Sequence, residues 1–275
     1  MLNSYADVLT FKTAEYANIV SNTNQVSFRK LLEQASRHLD KQCHRYFYCW
    51  EGIKYYDGKY GNLLIDDLLG IPTIKLDEDA DDVYEATMAA TDYLLYPANK
   101  LPKERIELSN ASNYGGFASG VPRGVEVTGI HGYGDGESAT PYYTSGQAVT
   151  NAPNFAAGVT VLTMASTATF GAGLTLRIDA EQMYVETVTN ATTVVVRRGV
   201  NGTTDIVHAT GAAISLYEAP QPIREATLVI AMRAWKRKDS AFQDAVGSPD
   251  TGLVITYKDE DPFVKGIIHD YFRYL

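Results

Sequence analysis

Residues 174–198 read LTLRIDAEQMYVETVTNATTVVVRR, and this stretch decides the fold of the middle of the chain. Its apolar and polar residues alternate, which is the pattern of half-buried β-strands. Similar runs, GVTVLTM and AAISLYE, lie on both sides, and Asn201-Gly202 is a tight-turn signal. Residues 140–217 also hold 15 threonines and only three basic residues, Arg177, Arg197 and Arg198. We therefore predict a compact all-β module over residues 136–217.

Helical patterns lie outside this module, towards both ends of the chain. Residues 27–47, SFRKLLEQASRHLDKQCHRYF, place apolar residues at helical spacing after Ser27, which suits an N-cap. A second pattern, QPIREATLVIAMRAWKRK over residues 221–238, has Pro222 in its first turn. The last residues, DPFVKGIIHDYFRYL, predict a third helix that Asp261 caps.

The region between the first helix and the β module has neither the helical pattern nor the long alternating runs. Residues 46–101 form short β-prone runs separated by Gly, Pro and Asp, which indicates hairpins of a small sheet. Residues 108–124 are rich in Gly, Ser and Asn and predict a loop, and residues 125–135 resume a strand. The predicted class is α+β. We assign residues 1–135 and 218–275 to one discontinuous domain, which the β module at 136–217 interrupts.

Composition narrows the range of functions. With 275 residues, of which 45% are hydrophobic, the chain can bury a core, and its net charge of -9 argues against a surface that grips nucleic acid nonspecifically. The N-terminal sequence does not have the pattern of a signal peptide, and no apolar run approaches the roughly 20 residues that cross a bilayer. We therefore expect an aqueous location and no membrane partner, and we expect Cys43 and Cys49 to be buried, reduced thiols, with a single bridge left open.

Each candidate catalytic or ion-binding group also has a structural explanation. A thiol and its base would need Cys43 with His44, or Cys49 with His131, and a core thiol is favoured for both. The five histidines are scattered and form no metal motif. We expect no catalytic residue, no metal and no cofactor, and hence no enzymatic activity.

Two loops have partial matches to ligand-binding motifs. The run DEDADD at residues 77–82 places Asp77, Asp79 and Asp81 at calcium-loop spacing, but the required Gly and Glu of an EF-hand are replaced. We favour a solvated turn there. The glycines of HGYGDGE, residues 131–137, lack the Lys and Ser/Thr of a phosphate loop, so they are better explained as the end of a strand.

Large aromatic and apolar side chains mark candidate contact surfaces. The chain has 19 tyrosines, several of them between residues 46 and 60, which suits either a subunit interface or a half-buried sheet. An apolar stripe on a C-terminal helix calls for a partner, and the basic end of the preceding helix suits either the helix dipole or an acidic neighbour. The predicted interface residues are Trp235, Lys236, Arg237, Phe263, Ile267, Ile268, Tyr271 and Phe272.

Several segments together resemble the head-to-tail adaptor (connector) proteins of long-tailed bacteriophages. These segments are QASRHLDKQCHRYFY, NLLIDDLLGIPTIKLDEDAD, DYLLYPANKLP, VEVTGIHGYGD and PQPIREATLVIAMRAWKRKDSAF, in that order. The resemblance covers residues 1–135 and 218–275. In that family the last two segments lie close together, whereas about 80 residues separate them in this chain. The intervening LRIDAEQMYVETV and RRGVNGTT resemble small β modules of phage structural proteins.

The resemblance implies a fold, a function and a set of partners. The fold would be a helical adaptor core with a small β-hairpin sheet, interrupted by an all-β inserted module. The function would be a structural virion protein at the neck, assembled in the host cytoplasm as a ring of about twelve copies. Its partners would be the portal protein and a stopper or tail-completion protein, and DNA would pass through the lumen without specific binding. The alternative is another β-rich virion protein, such as a tail terminator or a host-binding baseplate component.

Overall fold

The computed structural model describes residues 3–13, 24–237, 245–248, 253–256 and 261–274. Within them the protein is a mixed α+β structure with mostly β content, which confirms the predicted class. The described residues form four helices: α1 (Val8–Phe11), α2 (Gln25–Cys43), α3 (Gln221–Arg237) and α4 (Pro262–Tyr271). None of them is both long enough and apolar enough to cross a membrane.

The chain divides into two compact units. One comprises Met1–His44, Tyr143–Val200 and Thr204–Leu275, and the other comprises Arg45–Tyr142 and Asn201–Thr203. The first unit therefore contains the helices together with most of the β module, and the second contains the hairpin region. The two units are defined by compactness, whereas the predicted domains rest on changes of sequence pattern along the chain. The predicted domain boundaries therefore stay a prediction.

The second unit is built on a seven-stranded antiparallel sheet. Its spatial order is β4-β3-β7-β2-β6-β5, with β1 paired to β7 from Trp50↔His131 to Tyr56↔Val125. Its core contains Leu63, Ile106, Phe117 and Val127 among others. The predicted hairpins and the strand after residue 124 are thus present. The strands are β1 (Trp50–Tyr56), β2 (Asn62–Leu68), β3 (Thr73–Leu76), β4 (Ala86–Thr87), β5 (Tyr93–Tyr96), β6 (Lys103–Leu108) and β7 (Val125–His131).

The first unit contains a curled six-stranded antiparallel half-barrel, in the order β10-β13-β12-β11-β15-β8. Its own core includes Phe155, Leu162, Met183, Val185 and Val196, so the alternation that predicted a β module is explained by one buried face. A two-stranded ribbon, β9 with β14, accompanies this sheet. The strands are β8 (Tyr142–Ala148), β9 (Asn154–Phe155), β10 (Val161–Thr163), β11 (Thr175–Ile178), β12 (Glu181–Asn190), β13 (Thr193–Arg197), β14 (His208–Ala209) and β15 (Ala213–Tyr217).

Helices α1, α2 and α3 share a core that includes Phe11, Phe28, Leu32, Leu228 and Ala231. Helix α2 begins two residues before Ser27, so the prediction of Ser27 as the N-cap is wrong, and Asn24 precedes the first turn instead. It ends at residue 43 because His44 adopts a left-handed conformation with φ 55°.

The predicted start of the C-terminal helix is confirmed. The Asp261 side chain accepts a hydrogen bond from the Phe263 N–H, and Pro262 occupies the first turn. Between α3 and α4 a short antiparallel hairpin pairs β16 (Ala245–Ser248) with β17 (Leu253–Thr256). The sequence pattern did not predict this hairpin.

Helix α2 is fixed to strand β12 by polar contacts. The Gln25 side chain both accepts from the Val188 N–H and donates to the Val188 carbonyl, as a neighbouring strand would. Arg29 donates to a backbone carbonyl of β12, and the Tyr184 hydroxyl donates to Glu33 at 2.7 Å. The Tyr184 ring is fully buried. Within this unit the β module is therefore packed on the first long helix and not merely tethered to it.

Candidate functional site

The predicted interface residues of α4 divide between two environments. Ile267 is buried together with Val264, and Ile268, Tyr271 and Phe272 are half-buried. Most of the apolar stripe is thus covered within the chain itself. Phe263 is the exception, since it is 55% exposed.

The end of α4 packs next to the end of α2. The Phe272 ring lies 4.9 Å from the His44 ring, and the Arg273 N–H donates to the Cys43 carbonyl at 2.9 Å. Tyr274 is 78% exposed and contacts Phe272 edge to face at 5.0 Å. An exposed aromatic side chain therefore lies at each end of this helix, namely Phe263 and Tyr274.

The remaining predicted interface residues lie at the end of α3. Trp235 packs edge to face on Phe28 of α2 with 4.8 Å between ring centroids, so it belongs largely to the helical core. Lys236 and Arg237 are exposed in the last turn. The structure thus brings the predicted set onto two helices, and whether these helices meet another subunit stays a prediction.

The two thiols are buried and are not joined in a disulfide, as predicted. Cys43 lies on the buried face of α2, while His44 next to it points to Phe272. His131, the other candidate base, is 2% exposed and is the last residue of β7. Burial lowers the pKa of His131 to about 4, and the positive charge of Lys54 acts in the same direction. His131 is therefore neutral near pH 7.

The acidic run at residues 77–82 forms a turn stabilised by its own backbone. Asp77 is buried, and its carboxylate accepts hydrogen bonds from the N–H groups of Ala80 and Asp82. Burial by itself raises the pKa of Asp77, but these N–H groups outweigh it, so the pKa is lowered. Asp79 and Glu85 come within 4.8 Å of the Asp77 carboxylate, but the oxygens of Asp77 are already committed to the turn.

The glycines of residues 131–137 are structural. Strand β7 ends at His131, and Gly132, Gly134 and Gly136 all have positive φ. A Cβ on Gly132 would lie 2.1 Å from the Tyr48 carbonyl oxygen. Only glycine fits this backbone, which supports the interpretation of the segment as a strand end.

A buried ionic centre in the β module was missed by the sequence analysis. Its central residues are Glu181 at the start of β12, Arg198 directly after β13 and His208 at the start of β14. The side chains of Glu181 and His208 are fully buried, and that of Arg198 is 4% exposed. Charged side chains are rarely buried so completely unless they are paired.

Arg198 and Glu181 form a two-pronged ion pair. The Nε and Nη2 atoms of Arg198 each lie 2.7 Å from a different oxygen of Glu181. The same guanidinium donates to the carbonyls of Ala156, Val159 and Ile206 and lies 2.7 Å from Asp205.

The Glu181 carboxylate is ionised. It accepts from the N–H groups of Gly199 and Ile206 in addition to Arg198 and His208. Burial alone raises the pKa of Glu181, but Arg198 and these donors outweigh it, so the pKa is lowered.

His208 connects this pair to a third acidic residue. Its Nε2 lies 2.9 Å from a Glu181 oxygen, and its Nδ1 lies 2.7 Å from an Asp179 oxygen. The imidazole ring is stacked against Phe155 of β9. All of these groups satisfy one another, and the imidazole has no exposed surface on which a substrate could dock. The side chains of the centre therefore join β12, the residue after β13 and β14 to one another.

A small cleft lies elsewhere in the same unit. Its volume is about 140 Å³, and polar and aromatic side chains of the N-terminal segment, the half-barrel and the start of α3 line it. Among them, Asp7 caps α1 through the Thr10 N–H, and Arg224 is paired loosely with Glu218 at 3.5 Å. The cleft is too small for the drug-sized ligands that typical binding pockets bury.

Comparisons with protein-family models, with curated proteins and with solved structures found no match for this chain.

Proposed function

We propose that this chain is a structural virion protein of a tailed bacteriophage, a head-to-tail adaptor that forms a ring between the portal and a stopper or tail-completion protein. The proposal starts from the segments that resemble connector proteins. On this proposal the helices and the hairpin sheet form the adaptor core, and the half-barrel is the inserted module. DNA passes through the lumen of the ring without specific binding.

The packing of the helices is the observation that carries this proposal. Helix α2 precedes the β module in sequence and α3 follows it, yet the two pack together around one core, and α4 contacts both of them. This is the arrangement expected when a module is inserted into a loop of a helical parent domain. Arg233 of α3 also lies 3.2 Å from Asp261, the cap of α4, which fixes the two later helices to each other.

The polar clusters favour a structural role over an enzymatic one. In the ionic centre, Arg198 and Glu181 are paired with each other and with backbone groups, and His208 is fully buried. The Asp77 carboxylate stabilises its own turn. A catalytic group needs a position within reach of a substrate, and these groups are used to hold the fold.

The location of the chain in the virion tests the proposal. Cryo-electron microscopy of the purified phage neck is expected to show a closed ring of this chain directly under the portal. Density for the chain elsewhere in the particle would overturn the adaptor assignment.

A matched pair of variants tests the predicted interface. Phe263→Ser removes the exposed aromatic group of α4, and His269→Ser changes another exposed position of the same helix by a similar substitution. We expect Phe263→Ser to reduce the yield of tailed, infectious particles at least tenfold, since about 1.4 kcal/mol lost at a repeated contact is a tenfold effect. The control variant is expected to assemble normally. Equal yields from the two variants would exclude Phe263 from the interface.

The alternative function is that of another β-rich virion protein, a tail terminator or a host-binding baseplate component. One observation favours it: four branched apolar side chains of the β module are exposed, at Val159, Val161, Ile206 and Val207. The neck experiment separates these functions, because a baseplate component would lie at the far end of the tail and a tail terminator would lie on the tail itself rather than directly under the portal.

A further inference from the structure

Strand β1 forms an edge of the seven-stranded sheet, and among the described strands it pairs only with β7. In an antiparallel pair, the backbone N–H and C=O groups of successive residues point alternately towards the partner strand and away from it. The Glu51 N–H points away from β7, because it donates to the Asn201 carbonyl at 2.8 Å. The backbone groups of Ile53 and Tyr55 therefore also point away from β7, and no described residue forms a hydrogen bond with them there.

The side chains at these two positions are apolar and exposed. Ile53 is 43% exposed and Tyr55 is 42% exposed, and they share a face because they are two positions apart in a strand. Lys54 between them points to the other face, where it is paired with Asp66 at 2.7 Å. Soluble proteins usually protect an edge strand with charged side chains, proline, a bulge or a covering loop. At Ile53 and Tyr55 the strand itself has no charge, proline or bulge.

Other sheet edges of the chain are protected. At β10, an edge of the half-barrel, the Asn151 side chain donates to the Val161 carbonyl at 2.9 Å and accepts from the Thr163 N–H at 2.8 Å, as a further strand would. Strand β4 has only two residues, and β5 has four and is followed directly by Pro97. The open edge of β1 differs from these edges, and an extended polypeptide is the ligand whose backbone matches it.

Arg123 indicates the charge of that polypeptide. Its guanidinium lies 4.8 Å from the centre of the Tyr55 ring, it is exposed, and it forms no ion pair with any residue that the structure describes. The Asp57 carboxylate accepts from the backbone N–H of Arg123 at 2.9 Å rather than from the guanidinium. A carboxylate on a strand added beside Tyr55 would supply the missing anion.

We propose that the edge of β1 at Ile53 and Tyr55 binds an extended segment of a different polypeptide, which adds to the sheet as a further strand and carries a carboxylate that meets Arg123. The backbone of this segment pairs with β1, and its alternate apolar side chains pack on Ile53 and Tyr55. The turn at residues 201–203, which belongs to the same compact unit, already uses this edge at Glu51 through a backbone hydrogen bond. The inference goes beyond the proposed function and does not depend on it, since it concerns only the hairpin unit.

A second copy of the chain fits this edge poorly. If two β1 edges paired antiparallel with Ile53 of each beside Tyr55 of the other, residue 57 of each copy would lie beside Glu51 of the other. The turn at residues 201–203 already fills that position. A register centred on Tyr55 would instead bring the two Arg123 side chains together, and like charges destabilise such a pair. The observations therefore favour a different polypeptide.

Nuclear magnetic resonance of the full-length, ¹⁵N-labelled protein tests the docking with a synthetic strand. The probe is a capped hexapeptide, Glu-Thr-Val-Thr-Val-Thr, whose glutamate and two valines share one face when it is extended. At a peptide concentration about ten times Kd, we expect hydrogen exchange of the Ile53 and Tyr55 amides to slow about tenfold. Exchange at Val185 in the half-barrel core is the internal reference and should not change.

A matched peptide separates backbone pairing from apolar contact. With both valines N-methylated, the peptide keeps its side chains but loses the donors that face β1, so we expect no slowing of exchange. Unchanged exchange at Ile53 and Tyr55 with the first peptide, up to its solubility limit, would overturn the proposal. Equal slowing by the two peptides would also overturn it, because the added strand would then not be recognised through its backbone.

Variants of β1 test whether the peptide binds at this edge. Ile53→Pro removes an N–H that faces away from β7, and Ile53→Lys keeps the backbone but protects the edge with a charge. We expect each to weaken peptide binding by a factor of about ten. Leu64→Lys is the matched control, since Leu64 is an exposed apolar residue on β2 of the same sheet, and it should leave binding unchanged. Natural affinity in Ile53→Lys would overturn the proposal, as would a dimer of the natural protein that Ile53→Lys dissociates.

Paired changes in the peptide and the protein test the carboxylate. A peptide with glutamine in place of its glutamate is expected to bind the natural protein about threefold more weakly, as loss of an exposed ion pair predicts. In Arg123→Gln the two peptides should bind equally. Equal binding of both peptides to the natural protein, or a preference that Arg123→Gln does not remove, would overturn the assignment of Arg123 as the partner of the carboxylate.

Discussion

Acidification is expected to destabilise the hairpin unit through one buried histidine. The fold prefers the neutral form of His131, because burial lowers its pKa from 6.5 to about 4 and Lys54 assists. Its contribution to stability is therefore fully present above the unfolded-state pKa of 6.5. It is lost as the pH falls from 6.5 towards about 4, where the folded form also takes up the proton.

The size of this effect follows from the two pKa values. This lowering of the pKa corresponds to a loss of about 3 kcal/mol in the free energy of unfolding, once His131 is protonated in both the folded and the unfolded state. Between pH 7.5 and pH 5 the linkage relation gives a loss of about 2 kcal/mol in the free energy of unfolding. The carboxylates Asp77 and Glu181 have lowered pKa values, so their contributions are lost only below their ordinary range, at more acidic pH. The window from pH 7.5 to 5 therefore reports mainly on histidine.

Urea unfolding at pH 7.5, 6 and 5 measures this loss. His131→Gln keeps a polar side chain of similar length without a titration in this range, so we expect it to remove most of the dependence on pH. His269→Gln is the matched control, because His269 is 79% exposed at its side chain and its replacement should leave the profile unchanged. The reasoning is refuted if the natural protein and His131→Gln lose the same free energy of unfolding between pH 7.5 and 5.

Three further substitutions probe other parts of the fold, each measured by urea unfolding at pH 7.5. Gly202→Ala is expected to lower the free energy of unfolding by about 2 to 4 kcal/mol, since φ is +86° and a Cβ would lie 1.7 Å from a carbonyl oxygen of β1. Gly211→Ala is the control, because its φ is +91° but a Cβ would meet no atom, so only the backbone strain remains. Equal costs would discount the close contact. Tyr184→Phe should cost about 1 to 2 kcal/mol by removing the hydroxyl that donates to Glu33. A neutral result would show that this contact does not stabilise the fold. Arg198→Lys should cost about 3 to 5 kcal/mol because an ammonium cannot replace the two-pronged pair, and a loss below 1 kcal/mol would contradict that.

Local patterns predicted those elements whose causes are local. Asp261 followed by Pro262 predicted the start of α4, because a cap and a first-turn proline act within three residues. Alternation predicted β13, because one of its faces is buried and the other is not, whereas the first half of β12 is buried on both faces. Ser27 failed as a cap, since Gln25 gains contacts with Val188 and the helix begins at Gln25, three residues before Phe28. The local sequence around Ser27 does not indicate this contact, because its partner is 163 positions away along the chain.

The ionic centre was missed because its residues meet only through the sheet. Arg198 is 17 positions from Glu181, and His208 is 27 positions from it. A signal was nevertheless present, because Glu181 lies two and four residues before Met183 and Val185, which face the core, and alternate residues of a strand share a face. A glutamate on the buried side of a strand requires a cation, and the module offers only three arginines. Conversely, the C-terminal stripe was assigned to an interface although Ile267 is covered by the chain's own helices.

The contacts between α2 and β12 determine how a deletion of the β module has to be interpreted. Removing residues 137–217 would take away the partners of Gln25, Arg29 and Glu33, so α2 would lose its polar neighbours as well as the module. A failure to assemble would then have two explanations, a required module or a weakened helix. The full-length variant that combines Gln25→Ala, Arg29→Ala and Glu33→Ala separates them, because it loses all three contacts and keeps the module. Assembly of this variant, together with failure of the deletion, would assign a direct role to the module. Failure of both would place the requirement on the position of α2 itself.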